Sequence, residues 1–238
     1  MNLAQPKTDP PTVLERYQFK PSVGSSHSWA IAQMSRLSPD ARILDIGCGS
    51  GAIGATLKNL GFSNLNAIEV DPAAATNARS IYSRVESKLD SFSNEKFECI
   101  FMLDVLEHLP DPFEYIANLP NYISDDGYLI ISVPNVAHWS IRLSLLFGFF
   151  EYTDRGILDR THLQFFNRKR FKSLLRHALG MTEVELSASI EPIELLLPKT
   201  VWNNSFFASL SKIRVSFANI LPGLMAYQHL AIFRRKFQ

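Results

Sequence analysis

The chain has 238 residues, of which 46% are hydrophobic and 20% charged, and its formal net charge is +1. These values are typical of a globular domain, and the near-neutral charge argues against a protein whose main partner is nucleic acid. Two cysteines, Cys48 and Cys99, are too few for a disulfide framework, so we expect a reducing, cytoplasmic environment. We expect no signal peptide, because the first residues lack a basic start followed by an apolar core. We also expect no membrane span, because no apolar run reaches roughly 18 residues.

After an irregular, proline-containing lead-in over residues 1–24, strand-like and helix-like segments alternate, and we assign residues 25–238 to a single domain. Helical spacing and helix-start residues predict helices at residues 25–37, 52–61, 72–85, 111–123 and 167–179. Short apolar or alternating runs predict strands at residues 41–47, 64–70, 97–103, 127–134, 182–190 and 226–235. This alternation predicts an α/β fold with a doubly wound parallel sheet, whose ligands bind beyond the carboxyl ends of the strands.

A glycine-rich stretch, LDIGCGSGAIG at residues 44–54, follows the first predicted strand. Residues 49–54 fit the pattern G-x-G-x-x-G, and Glu69 follows about 20 residues later, which would suit a nicotinamide dinucleotide and an oxidoreductase. Asp45 argues against that ligand, because a carboxylate at the strand end would repel an anionic pyrophosphate and attract a cation. S-adenosylmethionine carries an ammonium and a sulfonium group, and the glycines would let the backbone approach it closely. The alternative role of Asp45 is to cap or orient the glycine turn.

Glu69 ends the second apolar run, where a carboxylate can accept hydrogen bonds from both hydroxyl groups of a ribose. Asp71, just behind it, is the alternative contact, and Glu69 would then be a solvated residue at the strand end. We favour Glu69 because it is the residue that ends the run.

Four stretches, LDIGCGSG, AIEVDP, FECIFMLDVLEHLPDP and GYLIISVPN, together resemble the class I S-adenosylmethionine-dependent methyltransferases over roughly residues 40 to 180. The resemblance implies a Rossmann-like, mostly parallel sheet of seven strands whose last strand, at residues 226–235, is antiparallel, and S-adenosylmethionine as the cofactor. Within the family, the chain is similar to the small-molecule O-methyltransferases of the ubiquinone type and to methyltransferases of bacterial polysaccharide gene clusters. The cofactor contacts implied by the resemblance are Asp45, Gly47, Cys48, Gly49, Gly51, Glu69, Val70, Asp90 and Asp104. Asp90 would end a short third strand, RVESKLD, and meet the adenine amino group, or it is an ordinary loop residue.

The stretch DVLEHLPDP corresponds to the loop that borders the sulfonium and the acceptor in this family. Methyl transfer to a hydroxyl group needs a residue that takes the proton, and histidine suits that role near neutral pH. We therefore take His108, Glu107 and, in DRTHLQFF, His162 as candidate catalytic residues. In similar RNA-end methyltransferases the positions of Asp104, Glu107, His108 and His162 hold a divalent metal, and a structural role for Glu107 and His108 is the third hypothesis. The sequence does not decide whether these residues bind a metal ion.

Residues 135–167 form an apolar and aromatic insertion on the acceptor side of the fold. The insertion lacks the basic stripe with interleaved aromatic residues that is typical of nucleic-acid sites, so we expect no nucleic-acid acceptor. The resemblance instead suggests a hydroxyl of a small or lipid-linked glycan or a similar metabolite. The rival hypothesis is a cofactor-binding partner subunit without transfer activity of its own, because PNVAHWSIR also resembles the W protein of methionine biosynthesis. The oligomeric state is left open.

No acidic residue follows Glu194, whereas basic and aromatic residues are frequent there. Within residues 199–222, apolar residues recur at steps of mostly three and four, which predicts an amphipathic helix. Such a helix either lies on a membrane surface, with Lys212 and Arg214 toward anionic lipid, or packs on the sheet or on a second subunit.

Overall fold

A seven-stranded sheet forms the centre of the computed structural model, which describes residues 22–178, 180–191 and 205–235. The strands lie in the order β3-β2-β1-β4-β5-β7-β6, and neighbouring strands are parallel except that β7 is antiparallel to both β5 and β6. Their bounds are β1 Ile43–Ile46, β2 Leu65–Ile68, β3 Arg84–Glu86, β4 Phe97–Leu103, β5 Ile123–Pro134, β6 Met181–Ala188 and β7 Gln228–Arg235. The predicted doubly wound sheet with an antiparallel last strand is therefore confirmed, while residues 1–21 of the predicted lead-in lie outside the described residues.

Eight α-helices accompany the sheet in the part of the chain that the structure describes. They are α1 Ser26–Ala32, α2 Ala52–Asn59, α3 Pro72–Ala78, α4 Pro112–Asn118, α5 Trp139–Leu146, α6 Arg168–Leu175, α7 Ser205–Ile220 and α8 Pro222–Met225. Short 3₁₀ segments lie at Gln33–Arg36, Leu89–Phe92, Leu106–His108 and Leu119–Tyr122.

Helix starts agree with the sequence better than helix ends do. The carboxylate of Asp71 accepts the N–H of Ala74 and caps α3, and Asp111 caps α4 in the same way. The helix predicted at 72–85 is too long, however, because Arg84–Glu86 pairs with β2 as the third strand.

Apolar side chains cover both faces of the sheet. Leu44 and Ile100 belong to the core that α4 and α6 complete, whereas Ile43 and Cys99 belong to the core completed by α1 and α2. Because adjacent residues of a strand point to opposite faces, β1 and β4 are buried on both sides. Both cysteines are buried free thiols.

Helix α7 covers most of the predicted amphipathic segment, of which residues 199–204 lie outside the described part. Among the apolar residues of this helix, Phe207 is buried, whereas Phe206, Ile213 and Phe217 are exposed, so the apolar stripe is largely uncovered in the described residues. No helix of the described residues is long and apolar enough to cross a bilayer.

Candidate functional site

A cavity of about 740 Å³ lies at the carboxyl ends of β1, β2 and β4, where the strand order reverses between β1 and β4. Cavities of this size hold small molecules and cofactors, and this position is the usual ligand site of doubly wound sheets. The predicted site residues on its wall are Gly47, Gly49, Glu69, Val70, Asp90, Asp104 and His108. The predicted site residues that do not line it are Asp45, Cys48, Gly51, Glu107 and His162.

The glycine loop has two different physical requirements. Gly47 lies on the cavity wall with a φ of 73°, and a Cβ there would come 2.5 Å from Val105 Cγ2. Gly51 has a φ of 94°, and a Cβ there would come 2.6 Å from Ile81 Cδ1, inside the protein. Gly47 therefore leaves the cavity side of the loop without a side chain. Gly51 instead leaves room for close packing on the protein side of the loop.

Asp45 is buried and is not among the residues that line the cavity, so its contact with the ligand stays a prediction. Its side chain is 3% exposed, and its carboxylate accepts a hydrogen bond from the Tyr82 hydroxyl, which in turn accepts the N–H of Gly54 at 3.0 Å. Burial raises the pKa of Asp45 to about 7; the hydrogen bond from Tyr82 acts against this shift, and the negative charge of Glu69 adds to it. The alternative role, orienting the glycine turn, is the one that this geometry favours.

Glu69 is held rigidly on the cavity wall. Its Oε2 accepts the N–H of Gly49 and its Oε1 accepts the N–H of Asp71, each at 2.8 Å. The Asp71 carboxylate also lines the cavity and caps α3 through one oxygen. The preference for Glu69 as the ribose contact stays a prediction, which its fixed position on the cavity wall supports.

Asp90 lies on another part of the wall, in the 3₁₀ segment that follows β3. The Tyr122 hydroxyl lies 3.4 Å from Asp90 Oδ1, and Tyr115 lines the cavity beside them. Val70 is exposed on the same wall. Aromatic, aliphatic and acidic side chains thus stand together on this side, a composition that suits an adenine ring and its amino group.

Asp104 is the carboxylate fixed most firmly at the cavity. Its φ of 56° is unusual for a residue other than glycine. Ser132 Oγ donates to its Oδ1 at 2.7 Å, and the Gln228 side-chain amide donates to its Oδ2. Ser132 and Gln228 are buried in β5 and β7, and sequence reasoning missed both, because nothing in either strand pattern marks a polar residue as a partner of Asp104.

The three candidate catalytic residues lie together. The rings of His108 and His162 are in edge contact with centroids 4.9 Å apart, and His162 Nε2 is 3.9 Å from Glu107 Oε1. Only His108 lines the cavity, while Glu107 is 1% exposed and His162 lies behind it. Burial, with the neighbouring His108, lowers the pKa of His162.

Each of these histidines has its Nδ1 beside a backbone carbonyl, at 3.2 Å from Thr161 O for His108 and 3.1 Å from Ile157 O for His162. A carbonyl only accepts, so Nδ1 carries the hydrogen in the tautomer that this pairing favours, and Nε2 keeps its lone pair. Such a ring can accept a proton or bind a metal ion.

Glu107, His108 and His162 offer ligand atoms that all lie within 4.8 Å of one another, which fits a divalent metal. Among the described residues, Asp104 is not part of this group, although the resemblance implied it. Its two carboxylate oxygens are already engaged by Ser132 and Gln228. The possible metal ligands are therefore three of the four residues that the resemblance implied.

A polar cluster around the buried His138 fixes the start of the predicted insertion at residues 135–167. His138 caps α5, and its Nε2 lies 2.9 Å from Glu191 Oε1. The same Glu191 carboxylate accepts from the Trp139 indole at 2.6 Å and from Arg214 at 3.0 Å. Glu191 follows β6 and carried no sequence signal, since it becomes a partner of α5 and α7 only through the fold.

Comparison with known proteins agrees with this geometry. The sequence profile of the family described as a methyltransferase domain matches residues 28–185. The chain belongs to this methyltransferase family. The resemblance to class I S-adenosylmethionine-dependent methyltransferases is thereby confirmed together with its cofactor, which sets aside the nicotinamide alternative.

Individual relatives support the same assignment. The chain is 28% identical over 134 residues to a ubiquinone biosynthesis O-methyltransferase of Xanthomonas campestris pv. campestris. The aligned region covers 52% of this chain and 55% of that protein. It is 34% identical over 131 residues to the protein of the same name from Rickettsia bellii, covering 52% and 53%. The chain thus spans about half the length of the curated relatives it matches. A solved S-adenosylmethionine-dependent methyltransferase from Archaeoglobus fulgidus has the same fold, with a TM-score of 0.58 and 18% identity over 88% of this chain and 94% of that one.

The methyltransferase cavity fits the cofactor in its chemistry. The acidic side chains of Glu69 and Asp104 lie on its wall, and acidic groups suit ribose hydroxyls and the ammonium and sulfonium groups of the cofactor. Ile46, Ile68 and Leu89 add apolar surface.

Proposed function

We propose that this methyltransferase transfers a methyl group to a hydroxyl of a small or lipid-linked glycan or a similar metabolite. The observation that carries the proposal is the position of His108 on the wall of the same cavity as Glu69 and the glycine loop. The names of the ubiquinone biosynthesis O-methyltransferases to which the chain is similar also favour an oxygen acceptor.

The bound cofactor supplies a methyl group that is already activated on sulfonium, so the protein has to align the acceptor and remove its proton. His108 suits that removal because Thr161 O orients its Nδ1 and leaves Nε2 to accept. His108 Nε2 would take the hydroxyl proton as the acceptor oxygen bonds to the methyl carbon, and the electron pair of the broken carbon–sulfur bond would stay on sulfur. His162 and Glu107 lie behind His108 and position it.

The same three residues support a second use, as ligands of a divalent metal that would bind the acceptor oxygen. Their mutual distances within 4.8 Å and the carbonyl partners of both histidines favour it. In that case the metal would lower the pKa of the acceptor hydroxyl and His108 would hold the metal rather than take the proton.

The insertion 135–167 is proposed as the acceptor-recognition element, since its exposed apolar side chains suit an acceptor with a lipid part. A lipid-linked acceptor would place the enzyme at a membrane surface, and we propose that residues 199–222 contact that surface. The absence of acidic residues there supports attraction to anionic lipid.

Radiolabelled methyl transfer to a panel of free sugars, lipid-linked glycans and quinols tests the proposal. His108→Ala should lower turnover by about 10²–10⁴-fold, with little change in calorimetric affinity for S-adenosylhomocysteine. His177→Ala, at an exposed histidine of the segment after α6, is the matched control and should act as wild type. Tight binding of S-adenosylhomocysteine without transfer to any acceptor would favour the partner-subunit hypothesis instead.

A further inference from the structure

Helix α7 presents two different sides. One side packs on the domain through Phe207, Ser211 and Ala218, all buried. The other carries Phe206, Leu210, Ile213, Phe217 and Ile220 at steps of four and three, and these side chains are between 40% and 78% exposed. The helix therefore buries one phenylalanine and two small residues and leaves a complete apolar stripe uncovered.

A second apolar surface lies in α5 and the segment that follows it. No residue of α5 is buried, and the run LLFGFF continues the apolar sequence beyond the helix end. Leu146 is 77% exposed and Phe147 68% exposed, so these side chains protrude. Gly148, with a φ of 80°, turns the chain at the tip of this run.

The two segments that carry these surfaces are linked by hydrogen bonds. Arg142 of α5 donates to the carbonyl of Gly223 in α8 at 3.1 Å. Trp139 of α5 and Arg214 of α7 both donate to the Glu191 carboxylate. Fifteen of the twenty large apolar side chains that are exposed in the described residues lie in residues 139–152 and 206–224, a concentration that marks an interaction surface.

We infer that residues 139–152 and 206–224 form one docking face, and that its occupant is the surface of a lipid bilayer containing anionic lipid. The face extends the contact proposed for residues 199–222 to the acceptor-side insertion. It would bring the acceptor-recognition element to the lipid together with α7, and in this respect it rests on the proposed function.

Charge distinguishes lipid from a second copy of the chain. Residues 205–235 contain no acidic residue, while Lys212 is exposed beside the stripe. A second α7 laid against the first would bring like charges together without the opposite charges that flank paired helices. Anionic headgroups supply the missing negative charge, and each lysine or arginine near the bilayer surface strengthens the attraction.

The shape of the docking face also favours a lipid bilayer as its occupant. Protruding phenylalanine and leucine side chains can enter the boundary between headgroups and acyl chains. Glu151 in the second segment and Asp154 just beyond it come after the apolar run, and Asp154 pairs with Arg160 at 2.8 Å. They would lie at the polar margin of a docked insertion.

Co-sedimentation of the full chain with vesicles tests the inference. We expect binding to phosphatidylcholine vesicles containing about one third phosphatidylglycerol, weaker binding to pure phosphatidylcholine, and a partial loss at high salt. The double variant Ile213→Glu/Phe217→Glu and the variant Phe147→Glu should each reduce the bound-to-free ratio by about tenfold or more.

Leu60→Glu, at another exposed leucine in the segment after α2, is the matched control and should bind vesicles as wild type does. Unchanged affinity for S-adenosylhomocysteine shows that each variant is folded. Wild-type protein that stays in the supernatant at low salt would overturn the inference. So would a wild-type dimer that the double variant converts to a monomer, since the face would then belong to a second copy. Vesicle binding is measured without an acceptor, so its failure would leave the proposed methyl transfer intact.

Discussion

Gln228 donates a hydrogen bond to the carboxylate of Asp104, although 124 residues separate them in the chain. Ser189 fixes Gln228 in turn, because its hydroxyl donates to the Gln228 side-chain oxygen at 2.6 Å and accepts the Gln228 N–H at 3.0 Å. A chain of polar groups thus runs from Ser189, directly after β6, through Gln228 of β7 to Asp104 on the cavity wall. The last strand of the sheet therefore orients a carboxylate that follows β4.

Replacing Gln228 by leucine should weaken binding of S-adenosylhomocysteine by roughly 10- to 100-fold, the equivalent of one hydrogen bond to a charged group. The reason is that Asp104 loses a donor that holds its carboxylate toward the cavity. Gln33→Leu is the matched control, because Gln33 is also buried but donates within its own helical segment, to Trp29 O. Equal calorimetric affinities for the two variants would mean that Asp104 does not depend on Gln228.

Replacing Asp45 by asparagine should make the protein increasingly stable relative to wild type as the pH rises. The folded-state pKa of Asp45 is about 7, above its usual value of 3.8, since burial disfavours the charged form. Its contribution to stability is fully present below about pH 4 and is lost as the pH rises through about 7. Across this pH window, the free energy of unfolding of Asp45→Asn should therefore increase relative to that of wild type, by up to about 1.4 kcal/mol per pH unit.

Urea unfolding at several pH values measures this difference. Asp126→Asn, at an exposed acid, is the control for simple loss of a negative charge and should follow the wild-type pH dependence. A constant difference between Asp45→Asn and wild type from about pH 4 to about pH 8 would contradict the raised pKa.

Removal of metal ions by a chelator distinguishes the two proposed roles of Glu107, His108 and His162, which are proton removal from the acceptor and metal binding. If His108 takes the acceptor proton itself, treatment with EDTA leaves the rate of methyl transfer unchanged, and this is the result we expect. Loss of transfer on chelation and recovery with Mn²⁺ or Mg²⁺ would assign the three side chains to a metal. Glu107→Gln would then need a higher metal concentration for half-maximal activity.

Glu191 should make the protein sensitive to acid. Burial alone would raise its pKa, but hydrogen bonds from His138, its own backbone N–H, Trp139 and Arg214 outweigh that effect and hold the pKa at about 2. Because this value is depressed, the stabilisation is present above about pH 4.5 and is lost as the pH falls toward 2. Wild type should lose about 3 kcal/mol relative to Glu191→Gln over this range.

Chemical unfolding of both proteins at pH values from about 6 to about 3 covers most of that window. Glu114→Gln, at an acid in the first turn of α4 outside this cluster, is the control. Parallel stability curves for wild type and Glu191→Gln would show that the cluster does not hold the Glu191 carboxylate in its charged form.

The periodic features of the fold were readable from the sequence because they depend on local physics. Apolar runs predicted β1, β2 and β4, the caps Asp71 and Asp111 marked helix starts, and the glycine loop with Glu69 predicted the cofactor side of the cavity. Each of these signals lies within a few residues of the structure it produces, or within one strand–loop–helix unit.

Only the tertiary structure decided which polar side chains meet. It joined Asp45 to Tyr82 and Asp104 to Gln228, and placed Glu191 under α5. These partners lie far apart in the chain, and each pairing is set by strand order and helix packing, for which no short-range pattern exists. The exposed stripe of α7 has the same origin, since an amphipathic spacing defines an apolar side but only packing decides whether that side is covered.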